Sequence, residues 1–220
     1  MHIMIVRHGE SLGQIASKGA WPGPDSALSP LGEEQARKTA ECLAECGVSH
    51  MLSSPMIRAL STTSIMAETI GCDTFEVWTE LRELWERTYR GFSRVELHNR
   101  FPRAVLSADI TADGWEHGDD TYEAMFDRCY MVLQMLRMRF TDSSTVVMVT
   151  HGGFSNYLLH ALLNIPGTMP TWFKTANCAI TRVQFIPEVE RPGFLPWYPA
   201  VPVEVLGIND MRHLGGTVTY

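Results

Sequence analysis

Two stretches of this chain share one grammar: His2-Ile3-Met4-Ile5-Val6-Arg7-His8-Gly9 and Thr145-Val146-Val147-Met148-Val149-Thr150-His151-Gly152. Each is a short apolar run that ends in His-Gly. Such runs read as strands buried on both faces. In an open α/β sheet, ligands bind in the crevice outside the carboxyl ends of the strands. If the two strands are neighbours, His8 and His151 meet there. The glycine after each lets the backbone turn closely and offers N–H groups to an anion. Either histidine alone reads best as structural; the matched pair reads as a site.

Working outward, Ser29-Pro30 is a helix start, with Ser as N-cap and Pro at the first helical position. That helix runs to about Cys46 and stops at Gly47. Val48 to Ser53 is a strand. Ser54-Pro55 repeats the cap signal and opens a helix ending near Gly71, and Thr74 to Trp78 is a short strand. Tyr122, Met125, Phe126, Cys129, Leu133, Leu136 and Phe140 fall at steps of three and four, giving a long helix one apolar face. Asp119 and Asp120 are read as its caps. Gly152-Gly153 opens a helix through Leu163. Cys178 to Ile186 and Val203 to Leu206 are strands, residues 12–27 are a loop, and the proline-rich stretch 187–202 is irregular. Residues 84–118 have no clean period and read as loops and short helices lying over the sheet. The expected architecture is an α/β three-layer sandwich, its central sheet largely parallel, with helices on both faces and a covering insertion at about 84–118.

The chain has 220 residues, so at roughly 150 residues per domain it reads as a single domain, 1–220. With 45% hydrophobic and 20% charged residues it is expected to fold around a core. Its net charge of -7 argues against a nucleic-acid partner, whose phosphates need a basic face. A small anionic substrate needs only a few local cations. No apolar run approaches the roughly 18 residues of a membrane span. The N-terminus lacks the basic and apolar regions of a secretory signal, so a cytoplasmic location is expected. Cys42, Cys46, Cys72, Cys129 and Cys178 contain no Cys-x-x-Cys and read as reduced thiols. Cys42 and Cys46, one helical turn apart, suit a metal less well than a core. No His-x-His or His-x-x-x-His spacing supports a metal-dependent hydrolase.

Arg7 adjoins His8, and Arg58 falls in the first turns of a helix, whose N-terminus already favours anions. A forked, permanently charged guanidinium suits a phosphoryl group. With Arg7-His8-Gly9-Glu10-Ser11, Leu28-Ser29-Pro30-Leu31-Gly32-Glu33-Glu34-Gln35-Ala36, Ser53-Ser54-Pro55 with Arg58-Ala59, Leu81-Arg82-Glu83 and Val149-Thr150-His151-Gly152-Gly153, the chain resembles the histidine phosphatase superfamily, also called phosphoglycerate mutase-like. Asn177, Asn209-Asp210 and His213-Leu214 resemble the family's closing elements. The matches are in order and span nearly the whole chain.

The resemblance implies a phosphomonoesterase acting on small phosphorylated substrates through a phosphohistidine at His8. It implies Arg7, Arg58 and His151 as the phosphate pocket, and Glu83 as the general acid. Gln14, where many members have Asn, and Gly152 join them in binding substrate. Glu86 rivals Glu83, because Arg87 stands where family phosphatases have a glycine; Gly91 keeps the register of Glu83. No cofactor and no metal are implied, since side chains supply the cations. The competing readings are a phosphoglycerate mutase and a non-catalytic phosphate-binding domain. Glu86-Arg87-Thr88-Tyr89 resembles a mutase segment but is displaced by three residues, and Arg100 and Arg103 do not form the mutases' Arg-Arg pair. Trp85, Tyr89, Phe92, Phe101 and Trp115 either make an apolar mouth or pack the insertion onto the sheet. His2, His50, His98, His117 and His160 read as structural or unassigned. A homodimer is compatible with the sequence.

Overall fold

The computed structural model describes residues 1–17, 20, 22–84, 88–117, 120–165, 169, 171–187 and 201–220. A seven-stranded sheet is formed by β1 (His2–Arg7), β2 (His50–Ser53), β3 (Phe75–Val77), β5 (Ala104–Leu106), β7 (Thr145–Thr150), β8 (Ile180–Phe185) and β9 (Val203–Asp210). A separate two-stranded ribbon joins β4 (Tyr89–Arg90) to β6 (Glu116–His117). The large sheet has the order β5-β3-β2-β7-β1-β8-β9. Pairings from β5 through β1 are parallel, and β8 and β9 are added antiparallel. The two His-Gly strands are therefore immediate neighbours, with Arg7 opposite Thr150.

Alternation along these strands divides the core. Met4, Val6, Met51, Val147 and Val149 face one layer, built from α2 (Pro30–Leu43), α3 (Ile57–Ile70) and α4 (Arg94–Arg100). Ile3, Ile5, Leu52, Val146 and Met148 face the other, built from α5 (Tyr122–Arg139) and α6 (Gly152–Leu162). Both faces of a central strand are covered, which is why β1 and β7 are continuously apolar. Each fully buried Val, Leu or Met contributes about 1.5–3 kcal/mol, more than the strand propensity of any one residue.

Local signals explain the helix ends. The Ser29 hydroxyl accepts the Gly32 N–H, with Pro30 at the first position. Gly71 closes α3 in the left-handed region at φ 86°, where a side chain is strained. Five features differ from the sequence reading. Met56, not Ser54, is the N-cap of α3, with no side-chain cap hydrogen bond. Leu12–Ile15 forms a one-turn helix, α1, inside the expected loop. Part of the expected cover, Ala104–Leu106, is an edge strand of the main sheet beside β3. Thr121, not Asp120, caps α5, its hydroxyl accepting the Ala124 N–H; Asp120 pairs instead with Arg82 and Arg128. The last strand runs on to Asp210. Asp119, Trp85, Glu86 and most of 187–202 lie outside the described residues.

Candidate active site

The site begins with a close approach of two backbones. A Cβ on Gly9 would stand 2.4 Å from the Gly32 carbonyl oxygen, and one on Gly32 would stand 2.0 Å from that of Glu10. The end of β1 thus rests on the first turn of α2 with no side chain between them. Polar clamps fix it there. Gln35 Oε1 accepts the Glu10 N–H at 2.8 Å, Thr62 Oγ1 accepts the Gly9 N–H at 3.1 Å, and Asn177 donates to the His8 carbonyl at 2.9 Å. The Gly9 N–H is therefore spent on Thr62 and is not offered to an anion, contrary to expectation.

His8 is buried, with Nδ1 2.7 Å from its neighbour's Gly9 carbonyl oxygen. A carbonyl only accepts, so Nδ1 carries the proton and Nε2 carries the lone pair. Arg58 Nε donates to that lone pair at 3.1 Å. Burial first, then Arg58 and Arg7, hold the imidazole well below its usual range. A neutral imidazole with one oriented lone pair is a nucleophile.

His151 is fully buried at the end of β7, its ring 5.0 Å from that of His8. Its Nε2 lies 2.7 Å from Ser54 Oγ. The Ser54 oxygen accepts the Met56 N–H at 3.3 Å, and among the described residues the hydroxyl proton has no acceptor other than His151 Nε2, so it goes there. Nδ1 then bears the ring hydrogen, and it has no hydrogen-bond partner. Burial, followed by Arg58, His8, Arg7 and Arg128, keeps His151 neutral as well.

Arg7 donates through Nη1 to the Thr175 carbonyl at 2.6 Å, and its buried Nε has no partner. Gly152 lies beside it: a Cβ there would stand 3.3 Å from Arg7 Nε. Arg58 Nη1 donates to the Pro24 carbonyl at 2.8 Å and stands 3.7 Å from Asp25. Glu83 sits on the N-terminus of α6. Its Oε1 accepts from Leu84 and Phe154, and its Oε2 accepts from Gly153 at 3.1 Å. Gln14 makes a reciprocal amide pair with Asn177, each donation 3.1 Å long. A cleft of about 240 Å³ is lined by Arg7, His8, Gln14, Arg58 and Glu83, with Ser11, Ser26 and the loop at Gly23-Pro24 completing the wall.

All seven residues expected at the site thus converge on one end of the sheet, drawn from five separate segments. The histidine phosphatase superfamily (branch 1) model matches residues 3–192. The chain belongs to that superfamily.

Among curated relatives, a probable phosphoglycerate mutase of Salmonella enteritidis PT4 is 28% identical over 190 residues, covering 84% of this chain and 85% of the relative. Among solved structures, the mycobacterial glucosyl-3-phosphoglycerate phosphatase aligns at a TM-score of 0.65 and 22% identity, covering 95% of this chain and 98% of that one. A phosphoserine phosphatase of Entamoeba histolytica, solved with phosphoserine, aligns at 0.64 and 21%, covering 97% and 98%. These likenesses show the shared fold.

The superfamily pattern did not reveal several residues that hold the site. Asp25 and Thr62 carry no local signature, because their partners are distant in sequence, and the sequence places Tyr89 only in a displaced mutase-like segment and among the aromatics of the insertion. Among the described residues, the aromatic side chains of the insertion pack onto the core rather than form an apolar mouth: Phe101 and Trp115 are buried, Phe92 packs against the same core, and Tyr89 lies edge-on to Trp115 at 5.4 Å. Gly91 is needed there, since a Cβ would stand 2.1 Å from the Trp115 ring. His50 packs on Phe140 and His160 lies under Phe173. The cysteines are free, and among the described residues no group of His, Cys, Asp and Glu is arranged to hold a metal. Among the same residues no helix is long and apolar enough to cross a membrane.

Proposed function

We propose that this chain is a metal-independent phosphomonoesterase that works through a phosphohistidine at His8. One observation carries the reading. Beside a histidine whose Nε2 lone pair is oriented, two donors, Arg7 Nε and His151 Nδ1, are buried without partners. An unsatisfied buried donor costs about 1–3 kcal/mol, and a bound phosphoryl group removes that cost at both.

The steps follow from the atoms. The phosphoryl group of a small monoester takes its oxygens to Arg7, Arg58 and His151, with Gln14 and the start of α6 at Gly152 at its edge. Arg58 Nε leaves the His8 lone pair for an oxygen, freeing Nε2 for attack. The Nε2–P bond forms as the P–O bond to the alcohol breaks. Glu83 gives the leaving oxygen its proton. Its Oε2 accepts one backbone N–H where Oε1 accepts two, so Oε2 retains a site for that proton. Water then attacks phosphorus, Glu83 takes a proton from it, and phosphate leaves with His8 restored. The transition state is loose, so positioning and fixed positive charge do most of the work. Glu83 is taken as the acid on its own place in the cleft wall; its rival Glu86 lies outside the described residues.

The test is phosphate release from p-nitrophenyl phosphate in excess EDTA. Wild type is expected to turn over, and His8→Ala to lose about 10⁴-fold or more. Retention of most activity by His8→Ala would remove the nucleophile from the scheme. The likeness to a probable mutase makes 3-phosphoglycerate the second substrate to try; its isomerisation without phosphate release would favour transfer over hydrolysis.

A further inference from the structure

We propose that Asp25 and Tyr89 are positioning residues for this site, fixing the Arg58 guanidinium against His8 and coupling it to the covering segment. The inference rests on the phosphatase reading, but it concerns a contact between Asp25, Tyr89 and Arg58 to which the resemblance gives no role.

The carboxylate of Asp25 is 3% exposed, among the least accessible charges at the site. Its Oδ1 accepts the Ile57 N–H at 2.7 Å, at the first residue of α3, and faces Arg58 Nη1 at 3.7 Å. The adjoining Pro24 carbonyl takes that same Nη1 at 2.8 Å. Asp25 Oδ2 accepts the Tyr89 hydroxyl at 3.3 Å, and Tyr89 belongs to β4 in the covering segment. A continuous chain therefore runs from Trp115 through Tyr89 and Asp25 to Arg58 and the nucleophile. The guanidinium is held from the loop side while its Nε points at His8. That arrangement suits an arginine that must change partners from His8 to a phosphoryl oxygen without leaving the pocket.

The charges facing Asp25 are Arg58 from α3 and Arg100 from α4, with the Tyr89 hydroxyl from β4 and the Ile57 N–H completing its surroundings. Burial outweighs them and raises the carboxyl to about 6. Asp25 thus holds Arg58 as an anion above that pH and as a neutral acid below it. Removing its charge mimics the low-pH state.

The experiment measures kcat and KM for p-nitrophenyl phosphate from about pH 5 to about pH 8, with inorganic phosphate binding by calorimetry, for wild type, Asp25→Asn and Tyr89→Phe. At about pH 7.5, Asp25→Asn is expected to lower kcat/KM by about 30-fold and to weaken phosphate binding, within the ~10²-fold that misplacing a catalytic group costs. The ratio of variant to wild type should climb toward one as the pH falls through about 6, because wild type then also carries a neutral Asp25. The substrate's own ionisation cancels in that ratio. Tyr89→Phe should lose about 5-fold by the same route, and it decides the matter if Asp25→Asn does not fold. Unaltered kcat/KM in the folded variants overturns the inference, as does a deficit in Asp25→Asn that is equal at both ends of the pH range, the mark of a helix cap alone. A wild type that neither binds phosphate nor hydrolyses p-nitrophenyl phosphate defeats the phosphatase reading, and this inference with it.

Discussion

The ends of β1 and β7 use the same backbone device for different ends. Both strands deliver His-Gly to the same crevice, in register, with rings 5.0 Å apart. At β1, Nδ1 is tied to a carbonyl and Nε2 presents a lone pair to Arg58. At β7, Nε2 is tied to a hydroxyl and Nδ1 presents a hydrogen. The tautomers are opposite, so in the proposed reaction one histidine attacks and the other donates. The strand sets where a histidine sits; the neighbour on its second nitrogen sets what it does.

The largest test of that contrast is turnover. His8→Ala should abolish the labelled phosphoenzyme. His151→Ala should still label His8, with kcat lower by about 10²–10³-fold, the usual loss for one donor to a transition-state oxyanion. Rapid quench with a labelled phosphomonoester reads both. Label on His151 in the absence of His8 would show that the two histidines are interchangeable and would end the distinction.

The glycines that follow make a second comparison. At Gly9 a Cβ meets the backbone oxygen of Gly32 at 2.4 Å, and neither chain can give without moving α2. Gly9→Ala should cost about 3 kcal/mol in urea unfolding, at the upper end for overpacking. At Gly152 a Cβ meets only the Arg7 side chain, at 3.3 Å. Gly152→Ala should change stability by less than about 1 kcal/mol, since alanine favours a helix. Its effect should appear instead as about a 10-fold loss in kcat/KM through displaced Arg7. Equal stability losses at the two positions would show that the strand ends are packed alike.

The same contrast between local and distant causes decides what the sequence makes legible. β1, β7 and the cap at Ser29-Pro30 are written in adjacent residues, and their reading needs no tertiary information. The site residues are legible because they lie at strand ends and helix starts with fixed family spacing. Asp25 is not legible, because its role depends on Ile57, Arg58 and Tyr89, which approach it only in the fold. The edge strand Ala104–Leu106 fails for the same reason: three residues carry too little period, and pairing with β3 supplies the rest. Asp120 illustrates competition. Its helix-cap signal is real, but Arg82 and Arg128 claim both carboxylate oxygens, and Thr121 takes the cap.

The last test of the contrast is stability against pH. His8 and His151 are both held below the ordinary imidazole value, by burial first and then by neighbouring arginines. In the unfolded chain each takes a proton near pH 6.5. Below that pH the unfolded chain binds protons that the folded chain refuses, so stability is fully present above it and falls as the pH drops. Each histidine contributes a slope of up to about 1.4 kcal/mol per pH unit, and half-buried His213 shifts in the same direction. Asp25 acts oppositely. Its folded value is raised to about 6, so the folded chain binds the extra proton and gains relative stability as pH falls through that value. The expected profile between about pH 7.5 and about pH 5 is therefore a net decline, shallower than the histidines alone would give. In phosphate-free urea titrations, His8→Gln and His151→Gln should each remove up to half of the pair's slope, and Asp25→Asn should steepen it. If neither glutamine variant flattened the decline, the two histidines would be titrating freely in the folded protein, and the neutral nucleophile and the neutral donor would both have to be abandoned.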